Sequence, residues 1–293
     1  MTDAVTVIPA EGAPRPLVFD SPHTGMLYPD DFRPALDMAV CERVNDWFVE
    51  DLFGAAPAHG APLILAQFRR AYIDPNRDIT DLDLAMVADG WPHPVVPTEK
   101  TGRGASLIWK MIDGDKPIYD RKLSHAEVSN RIETYWRPYH AAVESALNAA
   151  YDRFGKVLHV NCHSMPEYGN PVFGEGDMRR PDFVIGTRDG TTAGDAFTAL
   201  VVENLRAAGY HVGVNEGLKG VELVRRYSDP AAGRESLQIE VNRALYMDER
   251  AITRSDNFAQ VKADLTAMIA ALAAFAARAG ATLLLNEIDP FRQ

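Results

Sequence analysis

The stretch that most constrains how this chain can fold is Lys156–Pro166, KVLHVNCHSMP. Val157–Val160 reads as a short apolar strand that runs directly into a polar turn, Asn161-Cys162-His163-Ser164. A buried strand that hands a functional group to a crevice at its carboxyl end is how an open α/β sheet builds a site. The pattern recurs near the N-terminus, where apolar Leu17–Phe19 leads into Asp20, Ser21, Pro22 and His23. A third run, Leu237-Gln238-Ile239-Glu240-Val241-Asn242-Arg243, places a glutamate between two β-branched aliphatics. Period-two alternation puts Gln238, Glu240 and Asn242 on one polar face of that strand.

Helical patterns lie between the strands. Val44, Trp47, Phe48, Leu52 and Ala55 recur at three- and four-residue spacing and predict a helix over Val40–Ala56. Arg121–Phe154 is a longer helical stretch, interrupted by Pro138, so two helices or one kinked helix fit it equally. Ala193–Ala208, stopped by Gly209, and the alanine-rich Asp256–Arg278 complete the helices, with the last residues as a tail. Further strands are predicted at Leu63–Phe68, Phe183–Gly186 and His211–Val214. This alternation predicts an α/β fold with a mixed, mainly parallel central sheet and helices on both faces. No internal repeat or linker divides the chain, which predicts a single domain over residues 1–293, with 1–15 as a tail that orders on contact. Ile79–Gly114 is irregular, and a connection this long is a lid, a binding loop or disorder. Met165–Pro181, rich in glycine and proline, and the polar Gly217–Gly233 read as loops.

Composition narrows the function classes. A net charge of -11 with no offsetting basic run argues against nucleic acid or an anionic membrane as partner, and leaves a small molecule as the expected one. The two cysteines, Cys41 and Cys162, form no disulfide framework and fit a reducing compartment. There is no signal-peptide pattern, and no apolar run approaches the roughly 18–20 residues of a membrane span. A cytoplasmic location is the expectation.

Of eight histidines, only His23 and His163 stand at predicted strand ends among small polar residues, where a ring nitrogen can face a cleft. The other six read as structural or surface residues. Two strand-end histidines and an in-strand glutamate are the elements of a zinc hydrolase, although a loop histidine more often bonds only backbone. A catalytic zinc takes three protein ligands and leaves a fourth position open, so an acid must complete the set. Asp46, Glu50 and Asp51 lie on the first predicted helix, where Asp46 and Glu50 face the same way; for any one of them, spacing alone favours a solvated helix face. Glu240 belongs either to the wall of an active site, where it would move a proton between water and a leaving nitrogen, or to an exposed edge strand. Arg77 is either a two-pronged holder of a substrate carboxylate or a surface ion-pair partner of Asp74 or Asp78.

Five segments together carry a family resemblance: Ser21-Pro22-His23-Thr24-Gly25, Asn45-Asp46-Trp47, Ile73-Asp74-Pro75-Asn76-Arg77, Cys162-His163-Ser164-Met165-Pro166, and Gln238 to Met247. In this order they resemble the N-formylglutamate amidohydrolases, over about residues 16–275. That family is in turn similar to the zinc carboxypeptidases and aspartoacylases. The resemblance implies a carboxypeptidase-like fold and one zinc per chain, held by His23, His163 and Asp46. It further implies Asn76 and Arg77 as the substrate grip, Glu240 as general base, and a place in histidine degradation. Asp46 enters because Met26 occupies the position where the carboxypeptidase pattern has glutamate. Pro75 stands where the family usually has leucine, and Lys219-Gly220-Val221-Glu222 departs from its glycine-richer run. The implied reaction is hydrolysis of an N-formyl amino acid, most simply N-formyl-L-glutamate. Rival readings are a deacylase of another N-acyl amino acid and a metal-free carboxylate-binding protein.

Overall fold

The computed structural model describes residues 4–170 and 176–288, with side chains described through residue 278. Seven strands form one sheet: β1 (Val5–Ile8), β2 (Leu17–Ser21), β3 (Leu63–Ala66), β4 (Val157–Met165), β5 (Phe183–Gly186), β6 (Val212–Val214) and β7 (Arg234–Asn242), in the order β1-β3-β2-β4-β7-β5-β6. Four of the six pairings are parallel; β1 with β3 and β5 with β7 run antiparallel. The sheet is therefore mixed and mainly parallel. Val5–Ile8, inside the stretch read as a tail, supplies one edge of it.

Besides two short helices at Met38–Cys41 and Glu99–Gly102, the described residues form α1 (Val49–Leu52), α2 (His125–Arg131), α3 (Arg137–Phe154), α4 (Asp195–Ala207), α5 (Glu222–Arg226) and α6 (Phe258–Ile288). Helices α1, α4 and α6 cover one sheet face, where Phe19, Val160, Leu237 and Ile239 meet Val201, Leu265 and Ile269. Helix α3 covers the other, through Tyr139, Val143 and Leu147. Helix α6 is long and apolar enough over Phe258–Arg278 to cross a membrane by length and composition alone, which the sequence count did not anticipate. Here Val261, Leu265, Met268, Ile269, Leu272 and Ala276 are fully buried in the core against the sheet.

Three elements differ from expectation. Strand β4 continues through Met165, so Asn161–Ser164 is strand and not turn, and His163 lies within it. The predicted helix over Val40–Ala56 is broken into Met38–Cys41, a tight turn at Glu42–Val44, and α1. Phe48, at φ 64°, takes a left-handed backbone that no helix continues through. Helices α2 and α3 form one rod through a π-turn at Ile132–Trp136. Pro138 has no N–H for the carbonyl four residues back, and the wider turn just ahead of it absorbs that loss.

Residues 79–114 carry only short elements, yet Leu82, Met86, Leu107, Ile108 and Ile112 are buried in the core under α3. The predicted loop Met165–Pro181 includes 171–175, which lie outside the described residues. The predicted C-terminal tail is helical as far as Ile288.

Candidate metal centre

His23 stands in the turn just after β2, and Gly25 lets that turn lie directly on the exit of β3. A Cβ at Gly25 would collide with the backbone of Gln67 and Phe68, and Leu27 N donates to Gln67 O at 2.9 Å. The broken helix delivers Asp46 from the opposite side, and Asp46 N donates to His23 O at 3.1 Å. His163 reaches the same point from β4. Three atoms converge: His23 Nδ1 is 3.1 Å from His163 Nδ1, and Asp46 Oδ2 is 3.2 Å and 2.9 Å from the two nitrogens. All three side chains are buried.

The outer sides of these groups decide what the inner sides are. His23 Nε2 lies 2.8 Å from Asp74 Oδ1, a carboxylate that can only accept, so the ring proton belongs on Nε2 and Nδ1 keeps a lone pair. His163 Nε2 lies 2.7 Å from Asn161 Oδ1. Two imidazole lone pairs and a carboxylate oxygen facing one another form no hydrogen bonds among themselves. They repel unless a cation stands between them. Ligands about 2.0–2.1 Å from a tetrahedral zinc are roughly 3.3 Å apart, close to the separations observed. The donor set fits a divalent metal.

Arginines hold the carboxylates in place. Arg243 Nη2 donates to Asn45 O at 2.8 Å and Asp46 Oδ1 at 3.2 Å, and its Nε donates to Ser164 Oγ at 3.0 Å. Asp74 Oδ2 accepts from Arg70 Nη2 and from Trp109 Nε1, each at 3.0 Å. Burial alone would raise the Asp46 carboxyl, but whenever His163 and His23 carry protons toward it their hydrogen bonds and charge outweigh burial and hold it well below the usual carboxylate range. Arg70, Arg77 and His23 do the same for Asp74 against its burial.

Glu240 is beside His163 in register on the neighbouring strand, with strands about 4.8 Å apart. Strand β7 is central, lying between β4 and β5, and Glu240 is only 7% exposed, so the edge-strand reading fails. Burial pushes its carboxyl up to about 7, with the nearby Asp46 adding to the rise. Gln238 Nε2 donates to Glu240 Oε1 at 2.8 Å and helps hold the carboxyl in place.

Arg77 is 5% exposed, which excludes a surface ion pair. Its Nε donates to Ala105 O and its Nη1 to Asn76 O, each at 2.8 Å, while Asp74 Oδ2 is 3.7 Å away. The backbone of 72–77 is clamped from the helical rod: Arg131 Nη1 donates to Tyr72 O at 2.9 Å, Trp136 Nε1 to Arg77 O at 3.0 Å, and His140 Nε2 to Pro75 O at 2.8 Å. Leu223 N donates to Asn76 Oδ1 at 3.0 Å, which turns the Asn76 amide nitrogen toward the histidines.

The family model for N-formylglutamate amidohydrolase matches residues 15–247. This chain belongs to that family. A crystal structure of N-formylglutamate amidohydrolase from Ralstonia eutropha JMP134 superposes with a TM-score of 0.91 at 43% identity, covering 94% of this chain and 99% of that one. The N-formylglutamate deformylase of Pseudomonas putida is 28% identical over 239 residues, 80% of this chain and 82% of its own. Gene product Atu2144 from Agrobacterium tumefaciens shares the fold, with a TM-score of 0.60 at 19% identity over 96% of each chain.

Against this family background, His23, Asp46 and His163 come together, with Glu240 and Asn76 beside them. Glu50 does not join them: it lies in α1 beyond the break, and burial pushes its carboxyl up to about 7. Asp51 pairs instead with Arg254. Sequence reasoning missed Asp74, Arg70 and Arg243 as parts of the site. The signal for Asp74 was its place two residues before Asn76; for Arg243, its place three residues after Glu240.

Proposed function

We propose that this chain is a zinc-dependent amidohydrolase that cleaves N-formyl-L-glutamate to formate and L-glutamate. One observation carries the reading: two imidazole nitrogens and a carboxylate oxygen converge, buried, within 3.2 Å of one another, and a carboxyl raised by burial stands in register beside them, in a chain of this family. Two imidazole nitrogens and one carboxylate oxygen suit zinc. Bound by His23, Asp46 and His163, it supplies Lewis acidity toward the attacking water and the scissile carbonyl.

The chain's own residues do the rest. Glu240 takes a proton from the attacking water and returns it to the departing amine, which a carboxyl near pH 7 can do in both directions. Arg70, 3.0 Å from Asp74 and 3.9 Å from Asp46, is the cation placed to steady charge developing on the formyl oxygen. Asn76 and Arg77, held by the helical rod, grip the α-carboxylate of the substrate. The partner is a small N-acyl amino acid.

The test is release of the free amino acid by the zinc-loaded protein across a panel of N-acyl amino acids, with zinc counted per chain. Turnover highest on N-formyl-L-glutamate and about one zinc per chain are expected. Faster hydrolysis of N-acetyl or other N-acyl amino acids would replace the formyl specificity. No hydrolysis of any of them would remove the enzyme reading.

A further inference from the structure

Behind the metal centre, the same face of the sheet carries a second polar cluster that the proposed reaction does not use. Asp20 on β2, His159 and Asn161 on β4 and Ser236 on β7 are all fully buried. Asp20 Oδ1 accepts from Asn161 Nδ2 at 2.9 Å and lies 2.7 Å from His159 Nε2, while Tyr139 OH donates to Asp20 Oδ2. His159 Nδ1 is 2.7 Å from Ser236 Oγ. This is a serine–histidine–aspartate line, but no substrate can reach it. A buried carboxylate is costly unless fully bonded, so its position calls for an explanation beyond stability.

Toward the metal centre the cluster is linked through Asn161. Asp20 is an acceptor on both oxygens, so it can face only the amide nitrogen of Asn161. That turns the Asn161 oxygen to His163 Nε2 at 2.7 Å. An oxygen there requires a proton on Nε2. Asn76 Nδ2 lies 3.1 Å from the same nitrogen, but it cannot donate to a nitrogen that already bears a proton. The shorter contact, oriented by an anion, prevails, and the Asn76 N–H groups stay available to substrate.

We propose that Asp20 is a positioning residue for the metal centre: acting through Asn161, it keeps the ring proton of His163 on Nε2 and leaves Nδ1 as the lone pair offered to the metal. His23 gets the same service directly from Asp74. The two ligand histidines are thus set by carboxylates at different removes, one in contact and one relayed. The inference rests on the metal reading above, and its readout is separable from it.

The experiment uses the full chain stripped of metal, with nitrogen-15 in its histidines. The parent is expected to show His163 as the Nε2-protonated tautomer. In Asp20→Asn the new amide can turn either way, and in Asn161→Leu the relay is gone, so both should show mixed His163 tautomers. Zinc affinity, measured by competition with a chromophoric chelator, should fall roughly 10–100-fold in both. Folded variants that bind zinc within about twofold of the parent would overturn the proposal. So would a parent His163 protonated on Nδ1, a result available even if neither variant folds. A parent that binds no zinc but keeps the Nε2 tautomer would remove the metal reading, and with it the purpose assigned to Asp20.

Discussion

Strands β4 and β7 carry opposite chemistry on their two faces. Toward α4 and α6 they present Leu158, Val160, Cys162, Leu237, Ile239 and Val241. Toward α3 they present His159, Asn161, His163, Ser236, Gln238 and Glu240, in register pairs. Both faces are buried. A central parallel strand buried on both sides ordinarily reads as a continuous apolar run. Here alternate positions are polar, and each polar side chain must find a partner or cost stability. The apolar face stabilises the sheet; the polar face, bonded upward from His159 to His163, makes it a platform for one site. The difference teaches that stability and chemistry are divided by side-chain parity along the same two strands.

The sharpest way to break that division is Glu240→Gln. The amide keeps the shape and can still bond Gln238, but it cannot take a proton. Turnover should fall by about 10²–10⁴-fold while zinc stays bound, measured by formate release and metal content on the same sample. Near-normal turnover would strip Glu240 of its role. The complementary change is Leu237→Ala, one position from the polar column but facing the other way. A cavity there should cost about 2–5 kcal/mol in urea unfolding. Zinc affinity should be unchanged. A large loss of zinc affinity would show that the two faces are not independent.

The same parity explains how much was legible. Leu158, Val160 and Cys162 alternating with His159, Asn161 and His163 is a strand pattern, yet a cluster of asparagine, histidine and serine also marks turns, and the turn reading won. The family segments pointed to His23, His163, Asn76, Arg77 and Glu240 because each is fixed by its neighbours in sequence, and the structure brings His23, His163, Asn76 and Glu240 close together. Asp46 came from the family's Asp-Trp segment, but on a helix that does not exist as predicted. The break depends on a left-handed Phe48, a conformation that tertiary contacts impose and composition does not announce. Asp20 and Asn161 were invisible as a pair because their bond joins residues 141 positions apart.

The polar face should also be visible in the pH dependence of the metal-free protein. The Glu240 carboxyl is raised from 4.5 to about 7 by burial, so between these values the folded state holds a proton that the unfolded state has released. Stability therefore falls as pH rises through this window, by on the order of 3 kcal/mol in all. Asp46 and Asp74 act the opposite way and elsewhere. Their depressed carboxyls stabilise the fold above about pH 4, and that contribution is lost as pH falls below it. Urea midpoints at intervals from pH 4.5 to 7.5 should slope less in Glu240→Gln than in the parent. Equal slopes would mean that Glu240 ionises as freely in the fold as out of it.

Arg77 lies on neither face, which makes it the control for the comparison. It belongs to the loop beyond β3, held by backbone carbonyls and the helical rod, so it should govern substrate and not metal. Lysine at this position keeps a charge near Asp74 but loses the planar fork. For N-formyl-L-glutamate, Arg77→Lys should lower kcat/KM by about tenfold, roughly 1.4 kcal/mol of binding in the transition state. For a formyl amide without an α-carboxylate the same change should matter by less than about twofold, since that substrate never used the grip. Zinc content should match the parent, while the urea midpoint should fall because the bonds to Ala105 O and Asn76 O are lost. Steady-state kinetics on the two substrates separates the possibilities: an equal loss on both would move Arg77 from the carboxylate to the reacting carbonyl or to the scaffold of Asp74, whose Oδ2 lies 3.7 Å from its Nη1.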